Sequence, residues 1–532
     1  MRLSFTLLFS YIATAVLAQT VSKVWAPDNG DGTYKNPILH ADYSDPDICQ
    51  AGDDFYLTSS SFNSVPALPI LHSRDLVNWE LINHAVPRFP DNYYDTPQHG
   101  NGVWAPCFRY HEGLFYIYWG DPDRGIYMVQ TEDPAGDWSA PVLVKKAYGN
   151  IDPSPLWDDD GKVYLVHAFA HSRAGVKSLL QVVELSSDGS QVLDKGTIVF
   201  DGHKDHPTIE GPKFYKRNGY YYIFAPAGGV PIGWQLVLRS KNIYGPYEEK
   251  IVLAQEDTPI NGPHQGGLVD LENGESWFVH FQDKGAFGRV VHLQPVRWVN
   301  DWPVMGEDTD GDGTGKPYLV YQKPKLSKQP FYSPADADEF NGEKLGLQWQ
   351  WNATPRADFY SLKSNLGQIK LFTQPLAEGS TNLWMSPNLL LQKFPAPQFT
   401  NTVKVDVSNL RDGEETGLIV FGQDYAALAV KRSGEEFSVE QRECVKALDN
   451  SMETTNARAK TDRRVVWLRL TVDGEARVSF SWSTDGKKFV PIGAKFTAVE
   501  GKWVGAKTGL YARRTGSTGL GGYALVDFFR VE

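Results

Sequence analysis

Apolar and polar positions recur in a fixed order through the first three hundred residues. An apolar stretch leads to a polar turn holding a glycine, and an aromatic-rich stretch returns. Asp47-Ile48-Cys49 passes through Gly52 to Phe55-Tyr56-Leu57, and Pro106-Cys107-Phe108 through Gly113 to Phe115-Tyr116-Ile117. Pro155-Leu156-Trp157 with Gly161 and Val163-Tyr164-Leu165 is a third copy; Pro212-Lys213-Phe214 with Gly219 and Tyr221-Tyr222-Ile223 is a fourth. Gly267-Leu268-Val269, Gly274 and Trp277-Phe278-Val279 make a weaker fifth. Each reads as a β-hairpin whose glycine takes backbone angles that other residues avoid. The turn glycines lie 48 to 61 residues apart, and related segments between them (Ser73 to Trp79, Thr131 to Trp138, Ser240 to Tyr247) read as outer-strand endings. Five copies of a four-stranded unit predict a five-bladed β-propeller. Five unrelated hairpins in a β-sandwich are the alternative.

The pattern stops after Trp302. Lys323 to Pro334 is rich in proline and lysine and reads as a linker. Beyond it, Thr402-Val403-Lys404-Val405-Asp406-Val407, Val465 to Leu470 and Arg477 to Trp482 alternate with period two, and Ala524 to Phe529 reads as a last strand. Such alternation predicts an antiparallel β-sandwich. The fold class is thus all-β: a leader over 1–18, a propeller over 19–322, a linker over 323–334 and a sandwich over 335–532.

The leader rests on Arg2, the apolar run Leu3 to Leu17 and the small residue Ala18, the layout of a signal peptide. The run is shorter than the roughly 18–20 residues a membrane span needs. A secreted, extracellular location follows as an expectation. Of 532 residues, 22% are charged and 41% apolar, which excludes a disordered chain. The formal charge of −12 disfavours nucleic acid and anionic membranes as partners, and a neutral substrate suits it. Three cysteines cannot form a disulfide framework; Cys49–Cys107 is the one bridge considered, and buried free thiols are preferred. Asn352-Ala353-Thr354 is the sole glycosylation sequon.

Ahead of the hairpin glycines, at a nearly constant distance of 7 to 10 residues, stand Asp45, Trp104, Asp152, Glu210 and His264. Equivalent positions on successive blades ring the propeller axis, so two aspartates and a glutamate should converge at one mouth of the channel. Glycoside hydrolysis needs a carboxylic acid to protonate the leaving oxygen and a carboxylate to activate water or attack the sugar. A neighbouring negative charge helps the acid keep its proton near neutral pH. Metal ligation and solvated turn aspartates are the competing readings, since Asp-Pro pairs commonly start turns.

These residues resemble glycoside hydrolase family 43. The likeness runs through Asn36-Pro37-Ile38-Leu39, Tyr43-Ser44-Asp45-Pro46-Asp47-Ile48, Gly102-Val103-Trp104-Ala105-Pro106, Ile151-Asp152-Pro153-Ser154 and Glu210-Gly211-Pro212, within about residues 34–303. The second region resembles the concanavalin-like sandwich attached to many β-xylosidases of that family. The resemblance implies an inverting enzyme with Asp45 as general base, Asp152 as pKa modulator and Glu210 as general acid. Trp104 and Phe62 resemble the aromatic walls of the sugar subsite, and Arg289 an arginine that contacts sugar hydroxyls. His264 matches a histidine that in several relatives helps hold calcium through water. Ser44 departs from the family, where proline is usual.

On this reading the chain releases terminal arabinofuranose or xylose from plant-wall xylan, arabinoxylan or arabinan fragments, with no required cofactor and calcium as a possible structural ion. A non-catalytic carbohydrate-binding propeller is the alternative from another class. A fructan-type hydrolase would want Asn-Asp-Pro-Asn near the start and Glu-Cys at the acid. Asp308-Thr309-Asp310-Gly311-Asp312-Gly313 imitates the start of a calcium loop, but position twelve is Leu319 and a polar turn is preferred. Asp338, Glu339 and Asp527 are a possible calcium bracket at the sandwich edge.

Overall fold

A computed structural model describes residues 22–327, 329–363, 367–516 and 521–532. The expected leader, 1–18, lies outside them. The regular structure of the described residues is nearly all strand, and among these residues no helix is long and apolar enough to cross a membrane.

The expected repeat folds into five four-stranded antiparallel sheets, each made of consecutive strands. Their first strands are Asp47–Ala51, Trp104–His111, Asn150–Trp157, Lys213–Arg217 and His264–Asp270, which define blades 1 to 5. These strands touch their neighbours in sequence around the axis, and that of blade 5 returns to that of blade 1. The closure is reinforced where Leu39, ahead of blade 1, exchanges both backbone hydrogen bonds with Val291 of blade 5, at 3.3 and 3.0 Å. All five turn glycines have positive φ, between 61° and 87°.

The segments read as outer-strand endings are turns between the third and fourth strands of their blades, and they share one device. The Trp79 indole donates to the Leu76 carbonyl (2.9 Å), the Trp138 indole to Pro134 (3.2 Å) and the Tyr247 hydroxyl to Ile243 (2.8 Å). A large ring thereby fills the blade edge and satisfies a buried carbonyl.

Two eight-stranded sheets face each other in the C-terminal region. The strands foreseen from alternation all fall in one of them, where Phe399–Asp406 alternates strictly between buried and half-buried positions. Between the sheets lies a core including Val403, Leu418, Leu428, Leu468 and Phe529.

The segment after residue 322 is a strap rather than a free tether. Lys323 bridges Asp28 (2.6 Å) and Asp75 (2.8 Å), and Gln329 accepts from the Arg74 N–H at 2.6 Å. The two domains are also hydrogen-bonded directly: Val65 pairs with Trp351, Ala506 donates to Ala286 (2.8 Å), and the Lys507 ammonium donates to Ser64 (2.6 Å). Asn352 is buried in this contact, its carbonyl accepting from Asn63 at 2.8 Å, which closes the sequon to a glycan. The three cysteines are free and buried.

Inner-strand packing leaves no slack at Gly267, where an added Cβ would stand 2.3 Å from the Asp47 carboxylate and 2.9 Å from the Ile48 nitrogen. Gly267→Ala should lower stability by about 1–3 kcal/mol through overpacking. Urea unfolding midpoints of the two proteins measure this.

Candidate active site

The inner strands carry their polar residues to the axis through a repeated backbone distortion. Asp45, Ala105, Asp152, Gly211 and Gln265 stand at corresponding points of the five blades, and each has positive φ (52°, 37°, 56°, 57° and 37°). Register shifts at Trp104/Cys107, Ile151/Ser154 and His264/Gly266 mark the same points as bulges. A non-glycine residue held in this conformation carries strain, which the surrounding ring must over-determine. The ring foreseen from the sequence is therefore corrected. Trp104, Glu210 and His264 stand one residue ahead of it, in line with Ser44 and Ile151. Counting back from the turn glycines cannot see a bulge.

Both levels face the same space. Asp45, Phe62, Trp104, Asp152, Glu210 and Arg289 line one cavity of about 300 Å³. Phe62 and Trp104 meet edge to face, with ring centres 6.4 Å apart. Gly102 permits this approach, since a Cβ there would lie 2.4 Å from the Phe62 carbonyl. His264 differs from expectation: it is fully buried behind Glu210, its Nε2 3.2 Å from a Glu210 oxygen, and it does not line the cavity.

The three carboxylates have different surroundings. Asp45 is bracketed by donors: the Ser44 hydroxyl (2.7 Å), the Ser60 hydroxyl (2.6 Å) and the Arg289 guanidinium (2.9 Å). An acceptor-only group so surrounded is matched to the ionised form. Ser44, at the position where proline is usual in the family, thus serves the aspartate directly. Burial disfavours the Arg289 charge, but Asp45, Asp283, Asp42 and Glu210 outweigh it and raise its pKa. Asp152 is buried and accepts from the Gly211 N–H at 2.8 Å. Burial, then the nearby Glu210 carboxylate and more weakly Asp45, push its carboxyl up to about 8 against the opposing effect of that hydrogen bond.

Trp503, from the sandwich, was not foreseen. Its indole lines the cavity, stands edge to face with Trp104 at 6.3 Å, and is half exposed although its backbone φ is +65°. The loop that carries it is tied down on both sides. Gly505 donates to Asp42 (2.9 Å), Gln423 donates to the Gly501 carbonyl (3.2 Å), and Gly501 donates to Val504 (2.8 Å). Beyond Trp503 a groove of about 260 Å³ continues between the two domains, sharing Val230, Pro231 and Arg289 with the cavity. Gln265 and Thr208 also line the cavity.

The surroundings of His264 do not fit calcium as direct protein ligands. The cation prefers six to eight oxygens; His264 offers one imidazole nitrogen to Glu210, and its other nitrogen is buried without a partner. Asp338, Glu339 and Asp527 do not form a bracket. Asp338 accepts from the Trp349 indole (2.9 Å), Glu339 pairs with Arg530 (2.6 Å) and Asp527 with Lys404. Asp308, Asp310 and Asp312 bring their oxygens within 4.8 Å of one another, but each accepts a backbone N–H of its own turn.

A propeller with three acids at one mouth, walled by aromatic rings, defines a carbohydrate-cleaving site. The profile of glycosyl hydrolases family 43 matches residues 34–303, and that of the beta xylosidase C-terminal concanavalin A-like domain matches residues 337–532. The chain belongs to glycosyl hydrolases family 43 and is a glycoside hydrolase. It is 39% identical over 492 residues to a putative beta-xylosidase of Xylanibacter ruminicola, covering 92% of this chain and 88% of that one. It is 33% identical over 433 residues to a non-reducing end alpha-L-arabinofuranosidase of Bacteroides ovatus, covering 76% and 78%. A solved family 43 structure from the xyloglucan locus of Bacteroides ovatus superposes with a TM-score of 0.82 at 28% identity, covering 94% of this chain and 99% of that one.

The raised Asp152 pKa fixes the sign of a pH effect. The folded protein holds a proton that the unfolded chain releases near 3.8, so this contribution to stability is complete at lower pH and is lost as pH rises towards about 8. Asp152→Asn removes the titration. Relative to the parent, the variant should gain stability between pH 5 and pH 8, read from urea midpoints at both values. A gap that stays constant would contradict the shift.

Proposed function

We propose that the chain is an exo-acting, inverting glycosidase that removes terminal xylosyl, and secondarily arabinofuranosyl, residues from xylan-derived chains. The observation that carries this reading is the contrast, across one cavity of about 300 Å³, between Asp45, ringed by donors, and Asp152, whose carboxyl holds a proton beside Glu210. The substrate class is supported by the 39% identity to a putative beta-xylosidase and the 33% identity to an arabinofuranosidase.

The chemistry follows from the two environments. Asp45 takes a proton from a water, whose oxygen attacks the anomeric carbon. The bond from that carbon to the leaving oxygen breaks, and Glu210 gives its proton to that oxygen. One water is consumed and the anomer is inverted. Asp152 stands beside Glu210 and holds the Gly211 backbone, which fixes the start of the strand behind Glu210. Arg289 orients Asp45 and presents its remaining donors to sugar hydroxyls. His264 steadies Glu210 from behind.

The cavity is sized for one terminal sugar, walled by Phe62, Trp104 and Trp503, which supports removal of end residues. The groove beyond Trp503 would take the leaving part of the chain. Secretion is supported by Arg2, the Leu3–Leu17 run and Ala18. Calcium enters no step of this mechanism.

Hydrolysis of nitrophenyl xyloside, nitrophenyl arabinofuranoside and arabinoxylan, with NMR of the first anomer released, tests the proposal. Nitrophenyl β-xyloside should give α-xylose first. Glu210→Gln and Asp45→Asn should each lower kcat by about 10²–10⁴ while xylose still binds. Release of the β-anomer would overturn inversion, and an inert parent would leave a binding propeller.

Trp503→Ala should raise KM for xylobiose at least tenfold with the unfolding midpoint nearly unchanged, because the side chain is half exposed. An unaltered KM would remove the sandwich from the site.

A further inference from the structure

The outer face of the sandwich holds a cavity of about 490 Å³, between the loop 375–381 and the strands Glu415–Phe421, Tyr425–Ser433, Glu436–Cys444 and Lys507–Arg514. It shares no lining residue with the cavity of Asp45, Asp152 and Glu210, and none of the chemistry above uses it.

Its floor is a closed ionic network. Glu415 accepts from Arg442 (2.9 Å), Arg513 (2.8 Å) and the Tyr511 hydroxyl (3.0 Å). Glu453 accepts from the same two arginines and from the Tyr425 hydroxyl, and Glu440 from Arg442 and Arg458. Three carboxylates thus meet three guanidinium groups, and the floor is neutral. Burying such a network is a weak source of stability, because desolvation offsets most of the attraction. What it supplies is a rigid polar surface.

Two further cations line the cavity: Lys431, whose cross-strand partner Glu415 is already held by Arg442 and Arg513, and Arg514. Lys431 and Arg514 are half-buried, and neither makes an ion pair among the described residues. The Arg514 Nε is buried and has no acceptor. The nearby acid, Asp358, is already held by Arg356 at 3.0 Å. A buried donor left unsatisfied is costly, and buried polar groups normally find a partner. The hydroxyl residues Ser380 and Thr515 stand on the same wall.

We infer that this cavity binds an acidic sugar, a uronic acid, with its carboxylate between Lys431 and Arg514 and its hydroxyls on Ser380, Thr515 and the polar floor. In a chain of net charge −12 the local cations, rather than the overall field, must recruit the anion. Guanidinium groups suit carboxylates by their forked geometry. The step from a free uronate to a uronate-bearing xylan branch rests on the function proposed above. On that step, the sandwich holds a charged branch while the propeller trims the chain end.

Calorimetry on the intact protein tests this with D-glucuronate, D-glucose, glucuronosyl-xylotriose and sodium sulfate as probes. D-Glucuronate should bind and D-glucose should not, and affinity should fall as salt rises. The double variant Lys431→Gln/Arg514→Gln should lose at least tenfold in affinity, with nitrophenyl xyloside hydrolysis and the unfolding midpoint unchanged. Lys431→Glu alone should give the same loss. Equal binding of glucose and glucuronate, equal competition by sulfate, or full affinity in the double variant would overturn the assignment. Tighter binding of glucuronosyl-xylotriose than of glucuronate supports the branch; equal binding confines the site to the free acid. Because hydrolysis is read separately, a failure here leaves the proposed reaction standing, and an inert propeller leaves the uronate site open to the same measurement.

Discussion

One hydrogen-bonded chain ties Asp45 to the architecture of both domains. It begins at the Gly505 N–H in the sandwich, which donates to Asp42 at 2.9 Å. The other Asp42 oxygen accepts from the Arg289 N–H of blade 5 at 2.9 Å, and the Arg289 guanidinium reaches Asp45 ahead of blade 1 at 2.9 Å. Asp45 in turn accepts from Ser60 at 2.6 Å, whose hydroxyl accepts from the Ala105 N–H of blade 2 at 2.7 Å. Closure of the ring, docking of the sandwich and orientation of Asp45 are therefore one network. A buried ion pair of this kind is favourable only when its remaining donors and acceptors are also satisfied. The serines and the backbone N–H groups meet that condition.

The same network explains why the sandwich reaches the cavity. Gly505 can reach Asp42 only if the loop 500–505 lies against the propeller, and that position carries the Trp503 indole into the cavity. A bulky residue at φ +65° is unfavourable in isolation. It persists because the bonds at Gln423, Val504 and Asp42 fix the loop on either side. The strain is stored in the domain contact, and what it holds in place is the third aromatic wall of the cavity.

How far the sequence could be read follows from what each pattern encodes. The hairpins were legible because an apolar stretch, a turn glycine and aromatic residues recur in the same order five times. The phase of the axial ring was off by one at Trp104, Glu210 and His264, since the left-handed residues at Ala105, Gly211 and Gln265 change which side chain faces the axis. In the sandwich, Phe399–Asp406 and Val465–Val472 announced themselves by alternation. Glu415–Phe421 is buried at all seven positions, with the core on one face and a second apolar layer around Leu383 and Trp384 on the other, so no alternation exists to be read. Trp503 left no signal at all, because its role depends on a contact between distant parts of the chain. The buried state of Asn352 and the strapped course of Lys323 are contacts of the same kind.

The site finally separates two identical side chains by environment alone. Asp45 and Asp152 both precede a proline, both have φ near +55° and both are buried. Asp45 receives two hydroxyls and a guanidinium, whereas Asp152 receives one backbone N–H and faces two other carboxylates. Burial alone raises a carboxyl pKa; whether the group ionises is decided by how many donors answer it. At blade 1 the Ser44 and Ser60 hydroxyls and the Arg289 guanidinium of blade 5 converge on Asp45, whereas Asp152 of blade 3 receives the Gly211 N–H of blade 4. A donor-ringed carboxylate and a proton-holding one thus arise from one repeated backbone geometry, and the difference between them is set by the neighbouring blades.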